Sequence, residues 1–68
     1  MARILKLVGG NPFDIKCIAQ YPTDTESALK AFIREQGGNP DDAHEDIVAI
    51  NCWVYSDPAT GELYRSHP

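Results

Sequence analysis

Residues 23–37, TDTESALKAFIREQG, contain the pattern on which the predicted fold depends. Gly37 closes the stretch at the position where helices commonly end with a left-handed residue. The pattern predicts an α-helix over residues 24–36, and we expect Leu29 and Phe32 to pack on a sheet. The predicted buried face repeats at i, i+1, i+4, i+5 and consists of Ala28, Leu29, Phe32, Ile33 and Gln36.

The start of this helix has three candidate caps. Thr23 and Glu26 have the spacing of a capping box, in which each side chain accepts a hydrogen bond from a backbone N–H group. Asp24 or Thr25 is the alternative N-cap residue. Glu26 also lies four residues before Lys30, the order that favours an ion pair on a helix surface.

Two apolar segments precede the helix and two follow it. Period-two alternation and β-branched residues are typical of strands, and turn residues at 9–12 and 57–61 join them into two hairpins. The four predicted strands are Arg3–Val8, Phe13–Tyr21, Ile47–Tyr55 and Glu62–Arg65.

The predicted order of elements is β-β-α-β-β, within a single domain of residues 1–68. A right-handed helical crossover brings the third strand parallel to the second. With the first strand between them, the four-stranded sheet is wholly antiparallel and has the order 2-1-3-4. One helix covers one face, so we expect an α+β two-layer sandwich whose second face is open.

Alternation along the strands divides the sheet residues into two sets. We expect the first set to face the helix: Leu5, Leu7, Phe13, Ile15, Cys17, Val48, Ile50, Cys52, Val54 and Leu63. We expect the second set on the open face: Lys6, Lys16, Ile18, Ile47, Asn51, Trp53, Tyr55, Glu62 and Tyr64. Exposed Trp and Tyr rings are typical of interaction sites, because they offer large contact area at low entropic cost. The alternative is that the three rings cover the sheet edge and pack on the chain termini.

The charge of the chain is unevenly distributed. With 6 Lys and Arg against 10 Asp and Glu, the formal net charge is -4. Residues 41–46, DDAHED, hold four acids and no base, whereas the remaining residues are balanced. Such a patch attracts a basic protein surface. The alternative is a local role, because Asn39-Pro40-Asp41-Asp42 has the order of a helix start, where acids stabilise the helix dipole.

The sequence offers little for catalysis or metal binding. Cys17, His44, Cys52 and His67 have the number of ligands of a zinc site but not its close spacing. We expect both cysteines to be reduced and inaccessible on buried strands, without the electropositive setting of a reactive thiolate. No glycine-rich phosphate loop or calcium loop is present. We therefore predict no cofactor and no enzyme activity. Without an apolar run long enough to span a membrane, we predict a cytoplasmic protein.

Two functional hypotheses follow from these features. The first is a non-catalytic protein-binding module that occupies a basic surface of a partner. Its predicted binding residues are Asp41, Asp42, Glu45, Asp46, Trp53, Tyr55 and Tyr64. The second is a domain for single-stranded nucleic acid, with the rings stacked on bases and Lys6 and Lys16 on phosphates. The acidic segment opposes this second hypothesis. A structural homodimer formed through the same rings is a third alternative.

In size, acidity and build the chain resembles phage-encoded anti-CRISPR inhibitors, several of which are acidic single domains of this length with a sheet and one or two helices. The likeness lies in Phe13–Tyr21, the helix Thr23–Gly37 and the hairpin Ile47–Arg65. None of these segments is a family motif, so no functional residue is transferred. The resemblance implies a stoichiometric inhibitor of a nucleic-acid-guided complex, acting in the host cytoplasm.

Overall fold

A computed structural model describes residues 1–7 and 15–68 of the chain. The elements are β1 (Ala2–Leu7), β2 (Ile15–Tyr21), α1 (Thr25–Glu35), a 3-10 helix (Pro40–Asp42), β3 (His44–Glu45), β4 (Trp53–Ser56) and β5 (Leu63–His67). The predicted turn at residues 9–12 and the predicted positions of Val8 and Phe13 lie outside the described residues. Within those residues, no helix is long and apolar enough to cross a membrane.

The start of α1 confirms the predicted helix and selects one of its three candidate caps. The Asp24 carboxylate accepts a hydrogen bond from the Ser27 N–H at 3.0 Å, so Asp24 is the N-cap residue. The capping box of Thr23 and Glu26 is therefore wrong. Glu26 instead forms the expected ion pair with Lys30, at 2.7 Å. An aspartate at this position pairs an otherwise unsatisfied N–H group and places negative charge at the positive end of the helix dipole.

The end of α1 is also as predicted. Gly37 has a φ of 80°, the left-handed conformation that glycine adopts without strain. This reversal lets the Gly38 N–H donate to the Ile33 carbonyl at 2.9 Å and the Gly37 N–H to Arg34 at 3.0 Å. The helix buries Thr25, Ala28, Leu29, Phe32 and Ile33, which confirms the predicted packing of Leu29 and Phe32. Gln36, predicted on the same face, is instead exposed at the C-cap.

The five strands form one antiparallel sheet in the order β2-β1-β5-β4-β3. The α+β class is confirmed, with one α-helix and an antiparallel sheet in the described residues, but the prediction of four strands in the order 2-1-3-4 is wrong. The acidic segment adds the short edge strand β3. The last strand, rather than the one before it, pairs with β1, from Arg3 opposite His67 to Lys6 opposite Tyr64. Local sequence does not decide this choice, because either strand of a hairpin can pair with β1.

Within β1, β4 and β5, alternation groups the sheet residues correctly but assigns both groups to the wrong faces. Tyr55 and Tyr64 pair across β4 and β5 and are buried in the core with Ile4 and the residues of α1. A shift of one residue exchanges the two faces of a strand, and paired residues of neighbouring strands share a face. One wrong assignment of a strand to the helix side therefore reverses the faces of the strands paired with it. The helix covers the aromatic set, whose rings bury the larger area. The opposite face, called the open face below, carries Leu5, Leu7, Ile15, Cys17, Val54 and Leu63.

A β-bulge in β2 interrupts the alternation within that strand. Ile4 pairs with Ala19, but the next residue, Leu5, pairs with Cys17, so Ile18 has no partner in the ladder. Ala19 therefore lies on the helix side with Ile4, and Cys17 lies on the open face with Leu5. The prediction that Cys17 is buried is wrong because its whole set, with Leu5 and Ile15, lies on the open face, where its side chain is exposed.

The predicted third strand, Ile47–Tyr55, belongs to the sheet only at its C-terminal end. Residues 46–52 form a loop, called the apolar loop below, and only Trp53–Ser56 pairs in the sheet. Asn51 has a φ of 64°. Asn tolerates this left-handed conformation, which an extended strand does not contain. The predicted placement of Val48 and Ile50 beneath the helix is therefore wrong.

Candidate protein-interaction surface

The three aromatic residues predicted to bind a partner belong to the core or lie against it. Tyr55 and Tyr64 are only 3% and 8% exposed, and their ring centroids lie 6.1 Å apart. Phe32 of the helix packs on Tyr64 at 5.0 Å. Trp53 is half-buried, with the Lys30 ammonium 5.5 Å from its ring centroid. The predicted exposure of these rings on the open face is wrong, and Tyr55 and Tyr64 have no free face on which a base could stack.

Two tyrosine hydroxyls bind carboxylates at the rim of the core. The Tyr64 hydroxyl donates to Glu62 at 2.7 Å, and Glu62 also forms an ion pair with Lys6 at 2.9 Å. The hydrogen bond to Glu62, together with burial, raises the pKa of Tyr64 to about 12. Burial and a 2.7 Å hydrogen bond to Glu35 raise the pKa of Tyr21 to about 12. Both carboxylates therefore stabilise the fold, and their hydrogen bonds are formed within the chain rather than with a partner.

Three of the four predicted acidic residues are exposed to solvent. Asp41 and Asp42 lie in the 3-10 helix, and Glu45 lies in edge strand β3. The Asn39 side chain caps the 3-10 helix by accepting a hydrogen bond from the Asp41 N–H at 3.0 Å, as predicted. None of the ion pairs found among the described residues involves these three carboxylates. Their charge is therefore directed to solvent.

The fourth acidic residue, Asp46, shapes the apolar loop. Its Oδ1 atom accepts hydrogen bonds from the N–H groups of Val48 at 2.9 Å and Ala49 at 3.2 Å. Its Oδ2 atom lies 3.2 Å from the Arg65 guanidinium, and its side chain is 9% exposed. The backbone hydrogen bonds, with a contribution from Arg65, hold the pKa of Asp46 below its usual range. We therefore assign Asp46 to the structure of the loop rather than to direct contact with a partner.

The apolar loop directs three branched apolar side chains into solvent. The exposed fractions are 97% for Ile47, 89% for Val48 and 87% for Ile50. The loop is nevertheless ordered, because the Asp46 N–H donates to the Cys52 carbonyl at 3.0 Å across its base. Soluble monomers seldom expose adjacent apolar side chains without an interaction to serve.

Sequence analysis missed this loop because an unbroken apolar run was interpreted as a buried strand. The signal against a strand lies at the two ends of the run. Asp46 is a residue type that binds backbone N–H groups two and three positions ahead of it, and Asn51 favours a left-handed conformation. Together they close a loop around the apolar residues instead of extending them along the sheet.

The exposed acids and the tip of the apolar loop follow one another along the chain, before, within and after β3. We call this set the acidic–apolar surface: Asp41, Asp42, Glu45, Ile47, Val48 and Ile50. It offers apolar contact and negative charge, the two properties with which a protein surface can select a partner.

The cysteines and histidines form no cluster in the described part of the chain. Cys17 is an exposed free thiol on the open face, and Cys52 is a buried one. The His67 ring contacts Arg3 at 3.4 Å. No group of three or more His, Cys, Asp or Glu side chains in residues 1–7 and 15–68 could hold a metal ion.

No protein-family model, curated protein or solved structure matches this chain.

Proposed function

We propose that this protein is a small non-catalytic protein-binding module that attaches to its partner through the acidic–apolar surface. The observation that carries the proposal is the near-complete exposure of Ile47, Val48 and Ile50 on an ordered loop. An apolar side chain of this size gains roughly 1.5–3 kcal/mol when it is fully buried. The three side chains therefore serve as the anchor of the contact.

The ordered base of the loop supports this role. The carboxylate of Asp46 fixes the backbone at Val48 and Ala49 before any partner arrives. A loop that is already in its bound conformation loses less conformational entropy on binding than a flexible one. The loop is thus suited to insertion into a pocket of fixed shape.

The charge next to the anchor defines the partner. The carboxylates of Asp41, Asp42 and Glu45 attract a basic surface and raise the rate of association with it. The partner that fits has an apolar pocket bordered by Lys or Arg. A bilayer with anionic headgroups does not fit, because the acids beside the loop repel it.

We extend the proposal to the biological role that the resemblance to anti-CRISPR proteins implies. Nucleic-acid-binding surfaces are strongly basic, and a chain of net charge -4 with its exposed acids beside an apolar anchor complements such a surface. The module then acts as a phage-type inhibitor in the host cytoplasm, blocking a nucleic-acid site by occupying it. Direct binding of single strands has less support, because Tyr55 and Tyr64 are buried and the acids repel phosphates.

The test measures the binding of a partner isolated from host lysate by affinity capture. Asp42→Asn with Glu45→Gln should slow association and weaken its dependence on salt. Ile47→Ser with Ile50→Ser should raise the dissociation rate at least about tenfold, because it removes apolar burial. The matched charge control is Gln36→Lys with Ala59→Lys, which adds the same two units of charge at exposed positions elsewhere and should change little.

The same partner provides a second readout. The wild-type protein should displace nucleic acid from it, and the loop variant should do so only at higher concentration. If both variants bind like wild type, the interface lies elsewhere and the proposal is wrong. If the acid variant instead binds single-stranded nucleic acid more tightly than wild type does, with no effect on a protein partner, the second hypothesis replaces the first.

A further inference from the structure

We propose that Arg65 is a positioning residue for the apolar loop, which it holds in one direction relative to the sheet through the Asp46 carboxylate. The inference rests on the proposed function, because it concerns how that loop is presented to a partner. Arg65 lies on the open face, opposite Leu5 in the register, and is not part of the acidic–apolar surface.

The two oxygens of the Asp46 carboxylate have different partners. Oδ1 accepts hydrogen bonds from the N–H groups of Val48 and Ala49, which belong to the loop itself. Oδ2 lies 3.2 Å from the guanidinium of Arg65, which belongs to β5. The first oxygen therefore fixes the shape of the loop, and the second joins the loop to the sheet. Because the Asp46 side chain is only 9% exposed, salt screens this pair less than an ion pair in open solvent.

The strand that carries Arg65 is a firm reference for the loop. β5 is the middle strand of the five, and Arg65 pairs with Leu5 of β1 on one side and Val54 of β4 on the other. A strand that is paired on both sides opens less readily than a short strand at an edge. The loop begins directly after β3, an edge strand of two residues. Arg65 thus connects the first residue of the loop to the centre of the sheet.

The ion pair also separates two neighbouring acids. Glu45 pairs with Trp53, which pairs in turn with the buried Ser66, so Glu45 lies on the helix side of the sheet. Arg65 draws the Asp46 carboxylate toward the open face. The charge of Asp46 is thereby balanced within the chain, whereas the exposed carboxylate of Glu45 remains available to a basic partner.

Loss of the guanidinium should affect the direction of the loop rather than its shape. The hydrogen bonds from Val48 and Ala49 to Asp46 remain, so the turn persists. The turn can then tilt about its two ends, at β3 and β4, and only a fraction of the molecules present the apolar tip in the direction that fits the partner. The apparent affinity falls by that fraction.

The first experiment needs no partner. Residual dipolar couplings of the N–H groups of residues 47–50, measured by NMR, report the direction of the loop relative to the strands. In the wild type they should fit the same alignment as the couplings of β1 and β5. In Arg65→Gln the loop couplings should shrink toward zero, whereas the strand couplings and the amide exchange of Val48 and Ala49 should stay as in wild type.

Two variants serve as controls for this measurement. Arg3→Gln removes the same charge from the open face, but Arg3 contacts His67 rather than the loop, so its loop couplings should match those of wild type. Arg65→Lys keeps the charge without the planar guanidinium and should recover only part of the couplings.

The second experiment measures binding of the captured partner. At high salt, where long-range attraction is screened, the dissociation constant of Arg65→Gln should be about two- to fivefold above that of Arg3→Gln, which has the same net charge. Arg65→Lys should lie between them. In an Asp46→Asn background, Arg65→Gln should change the dissociation constant by less than about twofold, because Arg65 acts through Asp46.

Three results would overturn the inference. The first is equal loop couplings in Arg65→Gln and wild type. The second is a loss of couplings in Arg3→Gln as large as in Arg65→Gln, which would assign the effect to charge alone. The third is an undiminished effect of Arg65→Gln in the Asp46→Asn background, which would place Arg65 in direct contact with the partner.

The proposed function is tested separately. If Ile47→Ser with Ile50→Ser binds the captured partner like wild type, the loop is not the anchor and the proposed function is wrong. The couplings, measured without a partner, still decide whether Arg65 directs the loop.

Discussion

Ser66 places a hydroxyl group in the core, between Ile4 and Trp53 of the neighbouring strands. Its exposed fraction is 0%, and its Oγ atom has no hydrogen-bond partner among the described residues. A buried polar group without a partner costs about 1–3 kcal/mol of desolvation. We therefore expect Ser66→Ala to raise the free energy of unfolding by about 1 kcal/mol in denaturant titrations.

The control for this change is Ser56→Ala in the neighbouring strand, where the side chain is exposed. It should alter the free energy of unfolding by less than about 0.5 kcal/mol. A less stable Ser66→Ala protein would show that the hydroxyl has a partner, such as a bound water.

Three tyrosines make the stability of the protein decrease at alkaline pH. The pKa values of Tyr21 and Tyr64 are raised to about 12, and burial raises that of Tyr55 as well. In the unfolded chain a tyrosine ionises near pH 10. The neutral hydroxyls therefore contribute stability that is complete below about pH 10 and is lost as the pH rises toward about 12. The phenolate absorbance of Tyr21 and Tyr64 should rise with a midpoint near 12, and the unfolding free energy should fall over the same interval.

The matched variant is Tyr21→Phe with Tyr64→Phe, which removes both hydroxyls but keeps the rings. It should lose most of the pH dependence in this interval. Titration of all three wild-type tyrosines near pH 10 would contradict the hydrogen bonds to Glu35 and Glu62.

At the level of elements, the apolar loop depends on one side chain. Asp46→Ala removes the acceptor for the N–H groups of Val48 and Ala49, and its partner Arg65 loses the ion pair. A hydrogen bond to a charged group contributes about 1.5–3 kcal/mol. We expect amide exchange at Val48 and Ala49, measured by NMR, to accelerate at least about tenfold in this variant.

Two further variants make the measurement specific. Asp46→Asn keeps an acceptor without the charge and should give intermediate exchange rates. Asp42→Ala removes an exposed acid that does not bind the loop, and it should leave both amides protected. Equal exchange in wild type and Asp46→Ala would mean that the loop is held by other contacts.

The elements differ in how far sequence alone determines them. The cap at Asp24 and the left-handed Gly37 act within a few residues of α1, so the helix was predictable. The face of the sheet that α1 covers depends on contacts between residues far apart in sequence, such as Phe32 with Tyr64, and alternation carries no information about them. The bulge at Ile18 was not predictable for the same reason, because it is defined by the pairing of β2 with β1.

The candidate site was predictable in its charges but not in its apolar part. Asp41, Asp42 and Glu45 stand out as a local excess of acid, and local geometry leaves them exposed. The position of Ile47 depends on whether its segment joins the sheet. That outcome reflects a competition between a hydrogen-bonded turn at Asp46 and strand pairing, which hydropathy does not measure.

On the scale of the whole molecule, the central strand β5 and its neighbour β1 come from distant parts of the chain. The contact between Arg3 and His67 joins residues 64 positions apart, and β1 pairs with β5 at the middle of the sheet. Closing a loop of this length comes at an entropic cost before most of the core has formed, so folding is slowed relative to a fold built from local contacts.

This pairing also determines when the molecule can fold during its synthesis. Until residues 63–67 have left the ribosome, β1 and β2 form at most an isolated hairpin, which is marginally stable in water. Ile4 and the apolar face of α1 lack the ring of Tyr64 during that time. A nascent chain halted before Leu63 is therefore a substrate for proteases and chaperones, and the complete sheet forms in one step once the last strand is released.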